Sequence, residues 1–202
     1  MDDEQEWDGR YSRAGRVWSG RPNGSLVAEI AGLDRGSALD VGCGEGADAV
    51  WLAQRGWRVT ALDVSQVALQ RGREAAEAAG VEIEWVHAGL VEAQLEPGSF
   101  DLVSAHYPAL RRTPDGDAVR ALLAAVAPGG TLLVVHHADV DREHALARGF
   151  DPDGYVASSD VASSLGEGFV LELDERRPRE LPEGGAGIGH THDLVLRARR
   201  RA

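Results

Sequence analysis

Two sets of residues in this chain have the types and spacing to do chemistry. The first is Asp40-Val41-Gly42-Cys43-Gly44-Glu45-Gly46, where an apolar run ends in an acid and three glycines follow at every second position. Glycines placed this way let the backbone turn tightly and approach a ligand that any Cβ would hold off. A second acid, Asp63, closes the next apolar run, and an acid there can accept from ribose hydroxyls. The second set is histidine. His87, His106 and His136-His137 fall at the carboxyl ends of predicted strands, and His190 and His192 precede the last one. Imidazole titrates near neutrality and also ligates metals, so these side chains could move protons or hold an ion.

Alternating strand and helix signals must position both sets, which points to a mostly parallel sheet with helices on both faces. Residues 1 to 22 read as polar and irregular. A helix starts near Ser25, and the first strand spans Ser37 to Val41. A helix over Ala47 to Arg55 ends at Gly56. The second strand is Trp57 to Leu62. Ser65 caps a helix over Gln66 to Ala79, which Gly80 closes. Strands three and four are Glu82 to His87 and Ser99 to His106. Thr113-Pro114 opens a further helix, with proline at its first position, and Pro128-Gly129-Gly130 stops it. Strand five is Thr131 to Val135. Residues 138 to 158 read as a long polar connection, followed by a short helix near Asp160 to Leu165. Phe169 to Leu173 and Asp193 to Leu196 end the chain as strands. The stretch between them is too short in regular pattern for a crossover helix, so they read as an antiparallel pair.

Gly42, Gly44 and Ala47 also satisfy the dinucleotide pattern Gly-x-Gly-x-x-Gly/Ala, and with Asp63 they would fit NAD. Three details argue otherwise. Asp40 stands where dinucleotide sites usually carry an apolar residue, Gly46 adds a third glycine, and an antiparallel pair is not the usual dinucleotide-domain ending.

Asp40 to Gly46 resembles the first motif of class I S-adenosylmethionine-dependent methyltransferases, and Leu62-Asp63-Val64-Ser65 their second. Phe100-Asp101-Leu102-Val103 and Ala127-Pro128-Gly129-Gly130-Thr131 resemble the fourth-strand and pre-fifth-strand signatures. Trp7-Asp8-x-Arg10-Tyr11, with Trp18 and Pro22-Asn23, is similar to the small-molecule branch holding the tellurite-resistance-type and thiopurine-type enzymes. The resemblance implies a seven-stranded Rossmann-like doubly wound α/β fold of order 3-2-1-4-5-7-6. It implies that Gly42, Gly44 and Gly46 run beside the methionine and ribose of the cofactor, that Asp40 holds its amino end, and that Asp63 accepts both ribose hydroxyls. Val64 would pack on the adenine and Leu90 would touch its edge. The family often places an acid just after the third strand; here that position is Gly89. Tyr11 and Trp18 would wall the sulfonium and the acceptor, since a cation is attracted to an aromatic face.

The histidines admit three readings: hydrogen-bonding edge residues, an acid/base set led by His106, then His192 and His137, or a metal site drawn from His106, His136 or His137, His190 and His192, with Asp139 or Asp193 as a further ligand. The last lacks a compact ligand motif, and no metal is expected. Of His136 and His137 only one should face a pocket, because neighbouring strand residues point to opposite faces. His190 and His192 should share a face.

Composition excludes several classes. The net charge is −12, which disfavours nucleic acid as partner. There is no lysine and a single cysteine, so Schiff-base chemistry, a Lys-Ser/Thr phosphate loop and an internal disulfide are unavailable. No apolar run approaches a membrane span, and the acidic start lacks signal-peptide regions, so a cytoplasmic protein without a membrane partner is expected. The expectation is one domain over 1–202, with a lid segment 1–24, a core 25–198 and a loop 138–158 over the acceptor. Its chemistry would be methyl transfer from S-adenosyl-L-methionine, leaving S-adenosyl-L-homocysteine, to a small-molecule sulfur, nitrogen, oxygen or chalcogen nucleophile. The alternatives are a non-catalytic module binding that cofactor or a metal, and an NAD-dependent oxidoreductase.

Overall fold

The computed structural model describes residues 3–13, 15–147, 149–179 and 190–202. Its sheet has seven strands in the order β3-β2-β1-β4-β5-β7-β6. These are β1 (Ser37–Val41), β2 (Arg58–Asp63), β3 (Glu84–His87), β4 (Phe100–His106), β5 (Val126–His137), β6 (Phe169–Pro178) and β7 (His192–Arg200). β1 to β5 pair in parallel, and β7 lies antiparallel between β5 and β6.

Both faces of the sheet are covered, which explains why the central strands are apolar without alternation. Leu39, Val41, Val103 and Val134 pack on one face, beneath α5 (Asp117–Ala125) and α7 (Ser158–Ser164). Ala38, Leu102, Leu133 and Val135 pack on the other, beneath α2 (Gly24–Glu29) and α3 (Ala47–Gln54). On this second side α4 (Gln66–Ala79) lies beside α3 and touches β2 and β3. The Ser65 hydroxyl accepts from the Ala68 N–H at 3.1 Å, and Gly80 takes the left-handed C-cap, so both ends of α4 are closed as its sequence requires.

Four segments differ from the sequence reading. Residues 3–12 form a helix, α1 (Asp3–Ser12), instead of irregular chain. Asp3, Glu4 and Glu6 favour its first turn, and the rings of Trp7 and Tyr11, one turn apart, lie tilted with centroids 6.2 Å apart. Thr113-Pro114 does not open α5. It makes a turn that ends at Gly116, whose φ of 66° lies outside the helix, and α5 begins at Asp117. Pro128-Gly129-Gly130 lies inside β5, where the β4–β5 register slips between Phe100 and Leu102. The stretch 138–158 holds a short helix, α6 (Arg142–Ala147), and a 3₁₀ turn at Pro152–Gly154, and α7 already starts at Ser158. Asp141 and Asp151 supply the side-chain caps that seed the first two.

β6 and β7 are an antiparallel pair, longer than their apolar segments. β6 is the edge strand; its first half, Phe169 to Leu173, is mostly apolar and its second half, Asp174 to Arg177, is charged, so hydrophobic pattern alone marks only the first half. The linking residues 180–189, read above as lacking a crossover helix, lie outside the described residues. Among the described residues no helix is long and apolar enough to cross a membrane.

Candidate active site

A cavity of about 910 Å³ opens along the carboxyl edge of the parallel strands, where open α/β sheets bind their ligands. Its floor at one end is the turn after β1. Gly42 has φ 68°, and a Cβ there would meet only the Pro108 Cα at 3.9 Å. Gly44, at φ 54°, has the opposite surroundings: its Cβ would stand 2.8 Å from the Tyr11 hydroxyl and 3.2 Å from the Trp18 indole nitrogen. Tyr11 and Trp18 thus sit directly on the loop, joined by a 2.8 Å hydrogen bond from Trp18 Nε1 to Tyr11 Oη.

Gly46 does not line the cavity. A Cβ on Gly46 or on Gly72 of α4 would meet the Trp85 ring at 2.6 Å. The third glycine therefore seats the β3 indole between loop and helix.

The two expected acids flank this floor. Asp63 is 8% exposed, and its two oxygens accept from Gly44 N–H and Ser65 N–H, each at 2.8 Å. Burial still raises its pKa, against the lowering by those two donors. Asp40 is 3% exposed, and its Oδ2 has no hydrogen-bond partner among the described residues. Burial first, and then the nearby Asp48 and Asp63 charges, hold its carboxyl well above the usual range. Val64 and Leu90 line the cavity, as does Gly89. The Glu92 carboxylate fills the space that a Cβ on Gly89 would take, so an acid stands there from three residues further on. His87 accompanies them, with its Nε2 3.0 Å from the Val64 carbonyl.

Histidines and their partners build the other end. His106 lines the cavity. Its Nδ1 faces the Ser104 hydroxyl at 3.1 Å and Asp48 Oδ2 at 3.6 Å, while its buried Nε2 has no partner among the described residues. Burial pulls its pKa down, and the carboxylates of Asp48 and Asp193 oppose that. Of the His136-His137 pair, His137 faces the cavity and His136 turns away to Ser158 Oγ at 2.9 Å. Tyr107, His137 and His190 form a three-ring stack, with centroids 4.1 Å apart at each step.

His192 does not reach the cavity; its Nδ1 lies 3.0 Å from the hydroxyl of Thr191. It does not join His190, because the alternation along β7 turns Asp193 inward instead. Asp193 is 2% exposed and accepts from the Tyr107 hydroxyl at 2.9 Å. No cluster of three or more metal-ligating groups occurs among the described residues.

The sequence reading missed Asp48, Glu45 and Glu92, and named Asp193 only as an added ligand of a metal site. Glu45 and Asp48 each tie down the N-terminal segment. Glu45 accepts from the N–H groups of Val17 and Trp18 and from Arg71 Nη1, the last at 2.8 Å. Asp48 accepts from the Asn23 backbone and side-chain N–H groups, both at 2.7 Å. Their signal was proximity: Glu45 stands between the second and third glycines and Asp48 two residues after the third, at the start of α3.

The strand order, with its antiparallel β7 and the glycine turn after β1, is the Rossmann-like architecture of class I methyltransferases. Residues 38–130 match the family model described as a methyltransferase domain. An uncharacterised methyltransferase of Mycobacterium tuberculosis is 38% identical over 112 residues, 55% of either chain. A ubiquinone biosynthesis O-methyltransferase of Yersinia pestis is 36% identical over 107 residues, 52% of this chain and 44% of that one. The chain thus spans about half the length of the curated relatives it matches. Among solved structures, one reporting the conversion of a disulfide bond into a thioacetal group during echinomycin biosynthesis superposes with a TM-score of 0.76. It is 25% identical and covers 99% of this chain and 93% of its own. The N-methyltransferase NodS of Bradyrhizobium japonicum, in complex with S-adenosyl-L-homocysteine, has a TM-score of 0.66 at 21% identity, covering 100% and 90%.

Proposed function

We propose that the protein is an S-adenosyl-L-methionine-dependent methyltransferase with a small-molecule acceptor. The observation that carries this reading is the buried, unpartnered Asp40 Oδ2 beside the open face of Gly42. A buried carboxylate oxygen without a donor is costly, and the amino group of the cofactor is the donor it lacks. Asp63 has further lone pairs for ribose hydroxyls, and the Glu92 carboxylate can accept from the adenine amino group in place of the acid missing at residue 89. The cofactor supplies an activated methyl group on a sulfonium.

The protein's own contribution is alignment and the exclusion of water. Tyr11 and Trp18 close over the loop, and the stacked rings of Tyr107 and His137 give the other end of the cavity a rigid aromatic side. The aromatic N-terminal segment, the net charge of −12 and a cavity of about 910 Å³ favour the small-molecule branch. Calorimetry tests the reading: the S-adenosyl ligands bind and NAD does not. Tight NAD binding without S-adenosyl binding would sink it.

A further inference from the structure

We propose that Asp48 is a positioning residue that delivers His106 to the acceptor as a base with its lone pair on Nε2, and that the acceptor is therefore a protic nucleophile, an O–H or N–H group. The proposal rests on the methyltransferase reading. Asp48 has a fixed place: both its oxygens are held by Asn23 at 2.7 Å. From there Oδ2 faces His106 Nδ1 at 3.6 Å. A carboxylate at that distance favours a proton on Nδ1, where the Ser104 oxygen at 3.1 Å can accept it. The lone pair then falls on Nε2, the atom that is buried and unpartnered among the described residues. A second carboxylate, Asp193, also favours the protonated ring. Tyr107 and His136 are its other titratable neighbours.

In the reaction the acceptor's O–H or N–H proton passes to His106 Nε2 as its oxygen or nitrogen bonds to the methyl carbon. The electron pair of the broken carbon–sulfur bond stays on sulfur, so the sulfonium charge ends as an imidazolium facing Asp48. The proton later leaves to water. Asn23 belongs to the N-terminal segment, so the base is oriented only while that segment is docked.

Ring-¹⁵N-histidine NMR of the full-length protein tests this. In the wild type His106 carries its proton on Nδ1. In Asp48→Asn the proton moves at least partly to Nε2, and the His106 titration midpoint falls by about 1 pH unit or more. Asn23→Ala, which keeps the carboxylate, shifts the ring the same way by less and decides the matter should Asp48→Asn fail to fold. An unchanged tautomer and midpoint in the folded variants overturns the positioning role. S-adenosyl-L-homocysteine calorimetry on the wild type, run alongside, reports separately on the methyltransferase reading. With S-adenosyl-L-methionine as donor, catechol as a protic probe is expected to turn over at least ~10-fold faster than aprotic pyridine, in line with the usual gain from general base catalysis; equal or faster pyridine turnover overturns the acceptor class.

Discussion

The two ends of the cavity are built in different ways. The glycine-loop end comes from neighbouring segments, with Asp40 and Asp63 bracketing one strand–turn–helix–strand unit. Its polar contacts are mostly backbone, as in the two N–H groups that hold Asp63. The histidine end is assembled from side chains brought together by β4, β5, β7 and the first turn of α3, and its groups orient one another: Ser104 and Asp48 face His106, and Asp193 holds Tyr107. A ligand common to many reactions suits the first kind of site. A ligand particular to one reaction suits the second, since side chains can change without disturbing the turn.

That contrast can be broken by experiment. If the histidine end acts only on the acceptor, His106→Ala lowers turnover by about 100-fold to 10,000-fold while calorimetry finds cofactor affinity retained; unchanged turnover removes His106 as the base. Asp63→Ala has the opposite profile. Losing two charge-assisted hydrogen bonds weakens cofactor binding by about 100-fold or more, measured by the same titration. Gly46→Ala sharpens the division within the loop. Its cost is stability of about 3 kcal/mol, from the left-handed backbone and the Trp85 ring, read from urea unfolding. A stable variant with weakened cofactor binding would return Gly46 to the binding surface.

The smallest effect concerns a histidine the cavity does not use. Burial holds His136 down at about 4. Below about pH 6.5 the unfolded chain takes up a proton that the native state refuses, so stability falls with pH until about 4. His136→Gln should remove about 2 kcal/mol of the stability lost between pH 7 and 5, seen as a flatter pH dependence of urea unfolding. An equal slope in both proteins would show that His136 is not the group refusing the proton.

Legibility in the sequence follows the same division. The elements from β1 to α4 lie within a residue or two of their expected bounds, because glycine turns, the Ser65 cap and unbroken apolar runs are local signals. The helices α1 and α6 and the charged second half of β6 were not marked, since their residues are polar and their stability comes from pairing and capping. Asp63 could be read from its place at a strand end. Asp193 could not: the choice between it and His192 depends on the phase of β7, and a shift of one residue exchanges the two faces. Asp48 and Glu92 matter through partners far off in the chain or through space left by a glycine.

The N-terminal strap also gives the protein an optical signal. Trp18 donates to Tyr11, and the Arg10 guanidinium lies 5.0 Å from the Trp7 ring and 5.3 Å from that of Trp18. Two of the five tryptophans would therefore report any release of this segment from Glu45 and Asp48. Indole emission, followed in stopped flow without any added dye, would time the docking of the strap against the arrival of each ligand.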